Sequence, residues 1–387
     1  MNSRLGMSVI LCATFGLLPL HAQTSPQTKP LLAEDVFKNV QELKGIPVNE
    51  FMDTMGFFSA ALGYNCTNCH GDEVLGNWDK YAKDTPLKLT ARRMIEMAND
   101  INKTKFGGRQ AVTCYTCHRG GPAPKAVPSL LEQYSEPPPD DPNEVEISPR
   151  ALASPKVDDI LDRYIHALGG AQQLEKLKSL AGHGTYEGFD SYHGHVRLEM
   201  YAKSTGERTV IAHTNTGDSV VTYDGKNAWI AEFDKPVAVL QLPPGGDLDG
   251  VLLDSIIAFP ARLKQALTAW RAGFPTTLVD NRPMDVLQAM AGDTRVKFFF
   301  DKQTGLLTRL VRFSKTIVGP VPTEIDFSDY REVAGVKIPF AWQLTWTGGQ
   351  STYKLDSVQP NVAIDPAKFA EPVPTAAPVV PPAKAGP

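Results

Sequence analysis

Two pentapeptides constrain this chain more than any other feature: Cys66-Thr67-Asn68-Cys69-His70 and Cys114-Tyr115-Thr116-Cys117-His118. Both read C-x-x-C-H. Two thiols three residues apart, followed at once by an imidazole, suit covalent attachment of a porphyrin. Each thiol adds to one vinyl group, and the histidine then lies under the iron as proximal ligand. Duller readings fit less well. A disulfide inside each pair would close a short, weakly stabilising loop and needs no histidine. A four-cysteine zinc site more often spaces its pairs by about 15–20 residues, whereas 44 residues separate Cys69 from Cys114. A thioredoxin-like site wants a βαβ setting, and this neighbourhood carries a helical pattern. The expectation is two covalently bound c-type haems (haem c), held by Cys66, Cys69, Cys114 and Cys117, with His70 and His118 as iron ligands.

The fifth cysteine, Cys12, lies within an apolar run from Val9 to Leu20 that follows Arg4 and precedes Leu20-His21-Ala22. A charged start, an apolar core too short to span a bilayer and a small residue at the cut predict a signal peptide over 1–22. Acylation of Cys12 is the rival reading, but Leu11 stands where a small residue belongs. The expected location is periplasmic or otherwise exported, associated with the membrane surface if Cys12 is acylated. With 42% hydrophobic and 21% charged residues the 387-residue chain is neither disordered throughout nor a multi-span membrane protein. Its formal net charge of −4 does not suggest a nucleic-acid partner.

The texture of the chain changes along its length. Residues 23–34 read as a tether and 35–128 as an all-α dihaem cytochrome c domain. A Pro-rich linker over 129–156 centres on Pro137-Pro138-Pro139-Asp140-Asp141-Pro142 and is expected to be extended. Residues 157–372 read as a curved antiparallel sheet, and 373–387 as a disordered Pro/Ala tail. In the first domain, residues 33–45 place Val36, Val40 and Leu43 on one helical face. Residues 48–62 carry Phe51, Met55, Phe58 and Leu62 in one stripe, and a third helix opens at Asp84-Thr85-Pro86 and runs to about Lys103. Methionine opposite histidine closes an iron to other ligands and raises its potential, which suits electron transfer. Met52 and Met55 precede the first motif; Met94 and Met97 precede the second. Methionine at helical spacing is also ordinary core filling. The stripe favours Met55 over Met52 and leaves Met94 and Met97 equal.

Glu50-Phe51-Met52-Asp53-Thr54-Met55, Cys66 to His70, Ala91-Arg92-Arg93-Met94-Ile95-Glu96-Met97 and Val112 to Gly120 resemble the photosynthetic reaction-centre cytochrome c subunit. In that family a helix bears the axial methionine, and a turn then leads to C-x-x-C-H. The resemblance implies Met55 with His70 on the first iron and Met94 with His118 on the second. It also implies a redox protein partner, a membrane-bound reaction centre or respiratory complex. The family has four haems; this chain has cysteines for two. Phe106-Gly107-Gly108-Arg109 stands where the family carries the histidine that ligates its fourth haem. Arg92, Arg93, Lys103, Lys105, Arg109 and Arg119 make this neighbourhood basic, read as a solvated face with partners for haem propionates rather than as a docking patch.

In the second domain residues 158–180 read as one helix with a Gly169-Gly170 turn, followed by strands at hairpin spacing. One hairpin is centred on Asp224-Gly225. About ten antiparallel strands with a helical interruption near 250–272 predict an α+β half-barrel. The opening helix and Asp329-Tyr330-Arg331-Glu332-Val333-Ala334-Gly335-Val336-Lys337-Ile338-Pro339-Phe340 are similar to the bacterial lipoprotein carriers, which implies lipid as a ligand of this domain. His183, His193 and His195 are read as strand-surface residues rather than a metal site. The function expected of the whole is that of an electron-transfer haemoprotein and not an enzyme. Its rivals are a dihaem peroxidase-like enzyme and a lipid- or lipoprotein-binding protein with an accessory haem domain.

Overall fold

The computed structural model describes residues 29–137, 140–147 and 155–376. The predicted signal segment with Cys12, part of the linker and residues 377–387 of the tail lie outside them.

The N-terminal segment is helical: α1 (Ala33–Val36), α2 (Val48–Leu62), α3 (Cys66–His70), α4 (Pro86–Lys105), α5 (Cys114–His118) and α6 (Leu130–Tyr134). The stripe on α2 and the Thr85-Pro86 opening of α4 form the helices that the sequence predicts, and the Thr85 side chain caps α4 by accepting from the Lys88 N–H. The helix expected over 33–45 stops at Val36. Asn39 takes a left-handed conformation (φ 61°). Its amide donates instead to the Ala82 carbonyl and to Asp84, each at 2.8 Å, so tertiary hydrogen bonds override the local helical pattern.

The C-terminal segment opens with α7 (Val157–Ala167) and α8 (Ala171–Lys176), broken at Gly169-Gly170. Its strands are β1 (Ser179–Gly188), β2 (Val196–Lys203), β3 (Arg208–His213), β4 (Asp218–Tyr223), β5 (Ala228–Glu232), β6 (Val239–Gln241), β7 (Thr268–Arg271), β8 (Thr277–Val279), β9 (Arg282–Ala291), β10 (Thr294–Asp301), β11 (Leu307–Thr316), β12 (Gly319–Val333), β13 (Val336–Trp346) and β14 (Gly349–Pro360). Between β6 and β7 lie α9 (Gly246–Ala258) and α10 (Leu263–Ala266). Among the described residues fourteen strands form one open antiparallel sheet, ordered β6-β5-β4-β3-β2-β1-β14-β13-β12-β11-β10-β9-β7, with β8 on β9. The sequence predicts about ten, because short edge strands such as β7 and β8 carry too few residues to show a period. The β1–β14 pairing closes the two halves of the meander onto each other.

The main core joins Ile160, Leu161 and Tyr164 of α7, Leu253 of α9 and inward residues of the sheet such as Leu198, Phe298 and Leu310. The helix α9 lies close on the sheet. A Cβ at Gly246 would stand 2.2 Å from the Ser314 hydroxyl, and one at Gly250 would stand 2.5 Å from the Arg312 guanidinium. Part of the linker is folded rather than extended. The buried Lys297 amine on β10 donates to the carbonyls of Asn143 (2.9 Å) and Val145 (2.5 Å), and Val145 packs on a second core with Phe299 and Val311. At the other end, the Thr375 carbonyl accepts from the Asp218 N–H, so this first part of the expected tail pairs with the sheet domain.

The helical segment docks on the sheet through a shared core. Leu43, Ile46, Phe57, Ala61 and Ile95 pack with Val318 and Val321. The Gln110 amide donates to the Thr316 and Ile317 carbonyls, and the Glu50 carboxylate accepts from the Ile317 N–H at 2.9 Å.

Candidate haem sites

Each motif folds as a single helical turn with reciprocal caps. In α3, Asn65 accepts from the Asn68 N–H (3.1 Å) while the Asn68 side chain accepts from the Asn65 N–H (2.8 Å). In α5, Thr113 and Thr116 do the same at 3.3 and 3.0 Å. The second of the two residues between the cysteines therefore locks the turn that spaces them, and each cap is worth about 1 kcal/mol. No motif in the sequence assigns Asn68 and Thr116 a role; the N-x-x-N and T-x-x-T spacing is the signal that marks them.

The four thiols are free. Cys66 and Cys117 are exposed, whereas Cys69 and Cys114 are half-buried. The first motif thus turns its second thiol inward, and the second motif its first. Burial pushes both inner thiols up. The His118 Nδ1 lies 3.1 Å from the Gly121 carbonyl. Donation there fixes the tautomer that leaves Nε2 as a lone pair. The His70 Nδ1 is buried with no hydrogen-bond partner. Burial, and then the Lys88 ammonium, hold the His70 pKa below its ordinary value, which favours the neutral, ligand-competent ring. Thr85 anchors this motif by donating to the Cys69 carbonyl at 2.6 Å. Free thiol pairs, imidazoles with an available nitrogen and apolar surroundings are the donor set and setting that a c-type haem requires.

Of the predicted sulfur ligands, Met55 is half-buried within the cluster that also contains Cys114, while Met52 is exposed. Met94 and Met97 both lie at the surface of α4, together with Leu87, Leu89 and Tyr115. The structure packs α2 against α5, and α4 against both α3 and α5. Gly63 brings α2 and α5 together. It is left-handed (φ 64°), and a Cβ there would stand 2.4 Å from the Gly120 carbonyl, while the Gly120 N–H donates to the Ala61 carbonyl at 2.9 Å. Asn102 positions the loop before Cys114. Its buried amide donates to the Val112 carbonyl and accepts from the Ala111 and Val112 N–H groups. A run of rings starts at His70: Tyr81 at 4.8 Å, Trp78 at 5.3 Å from Tyr81, Phe37 at 6.3 Å from Trp78 and Phe51 at 5.0 Å from Phe37. Neither Asn102 nor this run follows from any motif.

The basic side chains divide. Arg92 is mostly buried, paired with Asp84 at 2.9 Å and donating to the Asn39 carbonyl, so it is a structural residue rather than part of a solvated face. Lys103, Lys105, Arg109 and Arg119 are exposed. On α2, Asp53 is pushed up to about 8, by burial first and then by the charges of Asp247 and Glu50 against Arg312. In the sheet domain His193 sits in a turn (φ 59°) and His195 just before β2, so neither is on a strand, and His195 faces Glu187 at 3.5 Å. Among the described residues no three His, Cys, Asp or Glu side chains gather to hold a metal ion, and no helix is long and apolar enough to cross a membrane.

A helical segment that presents two capped C-x-x-C-H turns is the arrangement found in c-type cytochromes. Residues 14–158 match the family model described as photosynthetic reaction centre cytochrome C subunit. Over 112 residues the chain is 38% identical to the photosynthetic reaction center cytochrome c subunit of Thermochromatium tepidum, covering 28% of this chain and 25% of that protein. It is likewise 38% identical over 99 residues to the subunit of Rubrivivax gelatinosus, covering 24% and 25%. The chain thus spans about a quarter of the length of these relatives. Among solved structures, a LolA superfamily protein from Nitrosomonas europaea aligns over 56% of this chain and 98% of its own, at 10% identity and a TM-score of 0.38.

Proposed function

We propose that the protein is an exported dihaem c-type cytochrome that carries single electrons to or from a membrane-bound redox complex, a reaction centre or a respiratory one. The observation that carries this reading is the pair of capped motif turns, each with two cysteines outside any disulfide and a histidine directly after them. Cys66 and Cys69 would hold one haem and Cys114 and Cys117 the other, with His70 and Met55 on the first iron and His118 and Met94 on the second. When bound, the haems supply reversible one-electron chemistry at iron. The chain's own part is to hold the thiols at fixed spacing through the Asn65–Asn68 and Thr113–Thr116 caps and to keep His118 in one tautomer. Apolar side chains pack around Cys114, which would raise the energetic weight of charges near a group bound there. The similarity of residues 14–158 to the reaction-centre subunits supports the electron-transfer role and the membrane-bound partner.

Alkaline pyridine haemochrome and intact mass of the full chain are expected to give two covalent haems, falling to one when both cysteines of either motif are replaced by alanine. Fewer than two in the parent protein refutes the reading. Two methionine-ligated irons are low-spin and indifferent to carbon monoxide. A ferrous iron that binds carbon monoxide in the parent protein would favour the peroxidase-like alternative.

A further inference from the structure

We infer that the sheet domain positions the axial methionine of the helical segment. The start of α9, the β11–β12 turn and the β13–β14 turn hold one face of α2, and this clamp sets how the helix presents Met55 to its iron. The inference rests on the reading of Met55 as an iron ligand. It is carried by contacts between α2 and the sheet domain, and it holds for whichever haem Met55 serves.

The contacts recur along α2 at the spacing of one helical face. The Asn49 amide donates to the Asp247 carboxylate at 2.9 Å, and Glu50 accepts from the Ile317 N–H at 2.9 Å. One turn on, Asp53 stands near Asp247 and Arg312. A further turn on, Gly56 meets Thr347-Gly348, the two-residue turn between β13 and β14. A Cβ at Gly56 would stand 2.9 Å from the Thr347 hydroxyl oxygen and 3.2 Å from the Gly348 nitrogen. Beside it, the Phe57 ring would lie 2.8 Å from a Cβ at Gly319. Glycine is a poor choice inside a helix, and the close approach of the turn accounts for it here. The Thr347 hydroxyl is itself buried with no hydrogen-bond partner, so the fold gives up a hydrogen bond to keep this turn against the helix. Directional bonds from Asn49 and Glu50 therefore fix the rotation of α2, and Gly56 fixes its distance from the sheet. Met55 directly precedes Gly56. It follows Asp53 by two residues, about 200° round the helix, and is half-buried in the cluster that also holds Phe37, Phe58 and Cys114. A turn or slide of α2 against the sheet thus carries Met55 with it, and the contacts behind a ligand orient the ligand.

The full-length holoprotein is compared with Gly56→Ala, Gly56→Val, Gly56→Ala combined with Thr347→Gly, and Asn49→Ala combined with Glu50→Ala. Haem content, carbon monoxide binding and the ring-current-shifted ε-methyl proton resonances of the ligating methionines in the ferrous protein are measured for each. Met55→Ala identifies which resonance belongs to Met55. Gly56→Ala is expected to shift that resonance and leave the other methionine's in place. Gly56→Val is expected to abolish it, and one iron per chain then binds carbon monoxide. Adding Thr347→Gly to Gly56→Ala returns the resonance toward its parent position. A purely local effect of the new methyl group on its neighbour would not be reversed from the sheet domain. The Asn49→Ala, Glu50→Ala protein adds no bulk and shifts the same resonance, which decides the matter if the Gly56 variants do not accumulate. A Met55 resonance unmoved in these variants, or a Gly56→Ala shift that Thr347→Gly does not reverse, overturns the inference while leaving the dihaem reading intact. If Met55→Ala removes neither methionine resonance, Met55 is not a ligand and the inference falls with that assignment. Fewer than two haems in the parent protein overturns the dihaem reading itself.

Discussion

Replacing Asp53 with asparagine should stabilise the protein at neutral and alkaline pH and do almost nothing in acid. Asp53 sits on α2 where the helix meets the sheet, close to Asp247, Glu50 and Arg312. Its pKa is pushed up to about 8 from an ordinary 3.8, mainly by burial. The group is an acid whose folded pKa is raised. Below about pH 4 it is protonated in both states and costs nothing. Between there and about pH 8 the unfolded chain releases a proton that the folded protein retains, so stability falls as pH rises, by at most about 1.4 kcal/mol per unit. The ceiling at pH 7 is about 4 kcal/mol, and water entering beside the helix reduces it, so about 2–4 kcal/mol is the expected gain for the neutral amide. Urea unfolding of the full-length protein and of Asp53→Asn, followed by far-ultraviolet circular dichroism at about pH 4 and about pH 8, measures it. The two midpoints should coincide in acid and separate in base, with the variant higher. A gap that does not change with pH, or a variant less stable at about pH 8, would refute the argument that an ionised Asp53 is what the interface resists.

Gly63→Ala should lower the thermal midpoint more than Gly45→Ala. Both positions are left-handed, but Gly45 has nothing within 4 Å of a Cβ, whereas at Gly63 the Gly120 carbonyl stands 2.4 Å away. The shared backbone cost is about 1 kcal/mol, and only Gly63 should add the loss of the α2–α5 contact. Equal effects would mean that this contact contributes nothing. Lys297→Met keeps the volume of the buried side chain and leaves the Asn143 and Val145 carbonyls without their donor. A cost of about 1–3 kcal/mol is expected, with faster proteolytic cleavage within residues 140–147. Cleavage at the parent rate would show that the amine does not hold this segment down.

Much of the helical segment is legible in the sequence because its determinants are local. The stripe of Phe51, Met55, Phe58 and Leu62 and the Thr85-Pro86 opening correspond to α2 and α4. The hairpin around Asp224-Gly225 is legible for the same reason, since Asp224 itself accepts from the Lys226 and Asn227 N–H groups. What misleads is a local pattern overruled from a distance. The 33–45 stretch has helical periodicity, yet Asn39 spends its amide on Ala82 and Asp84, some 43 and 45 residues on. The proline-rich linker has the composition of a free tether, yet Lys297 holds its carbonyls from 154 and 152 residues away.

The sequence by itself determined the chemistry on offer: two C-x-x-C-H units and the alternation that builds an antiparallel sheet. These depend on residues a few positions apart, where spacing alone decides which groups meet. Only the tertiary structure decided which thiol of each motif turns inward and that Gln110 meets Thr316 across 206 residues. It likewise decided that burial raises the pKa of a carboxyl on α2. Those outcomes follow from burial and from contacts between distant segments, and no period along the chain records them.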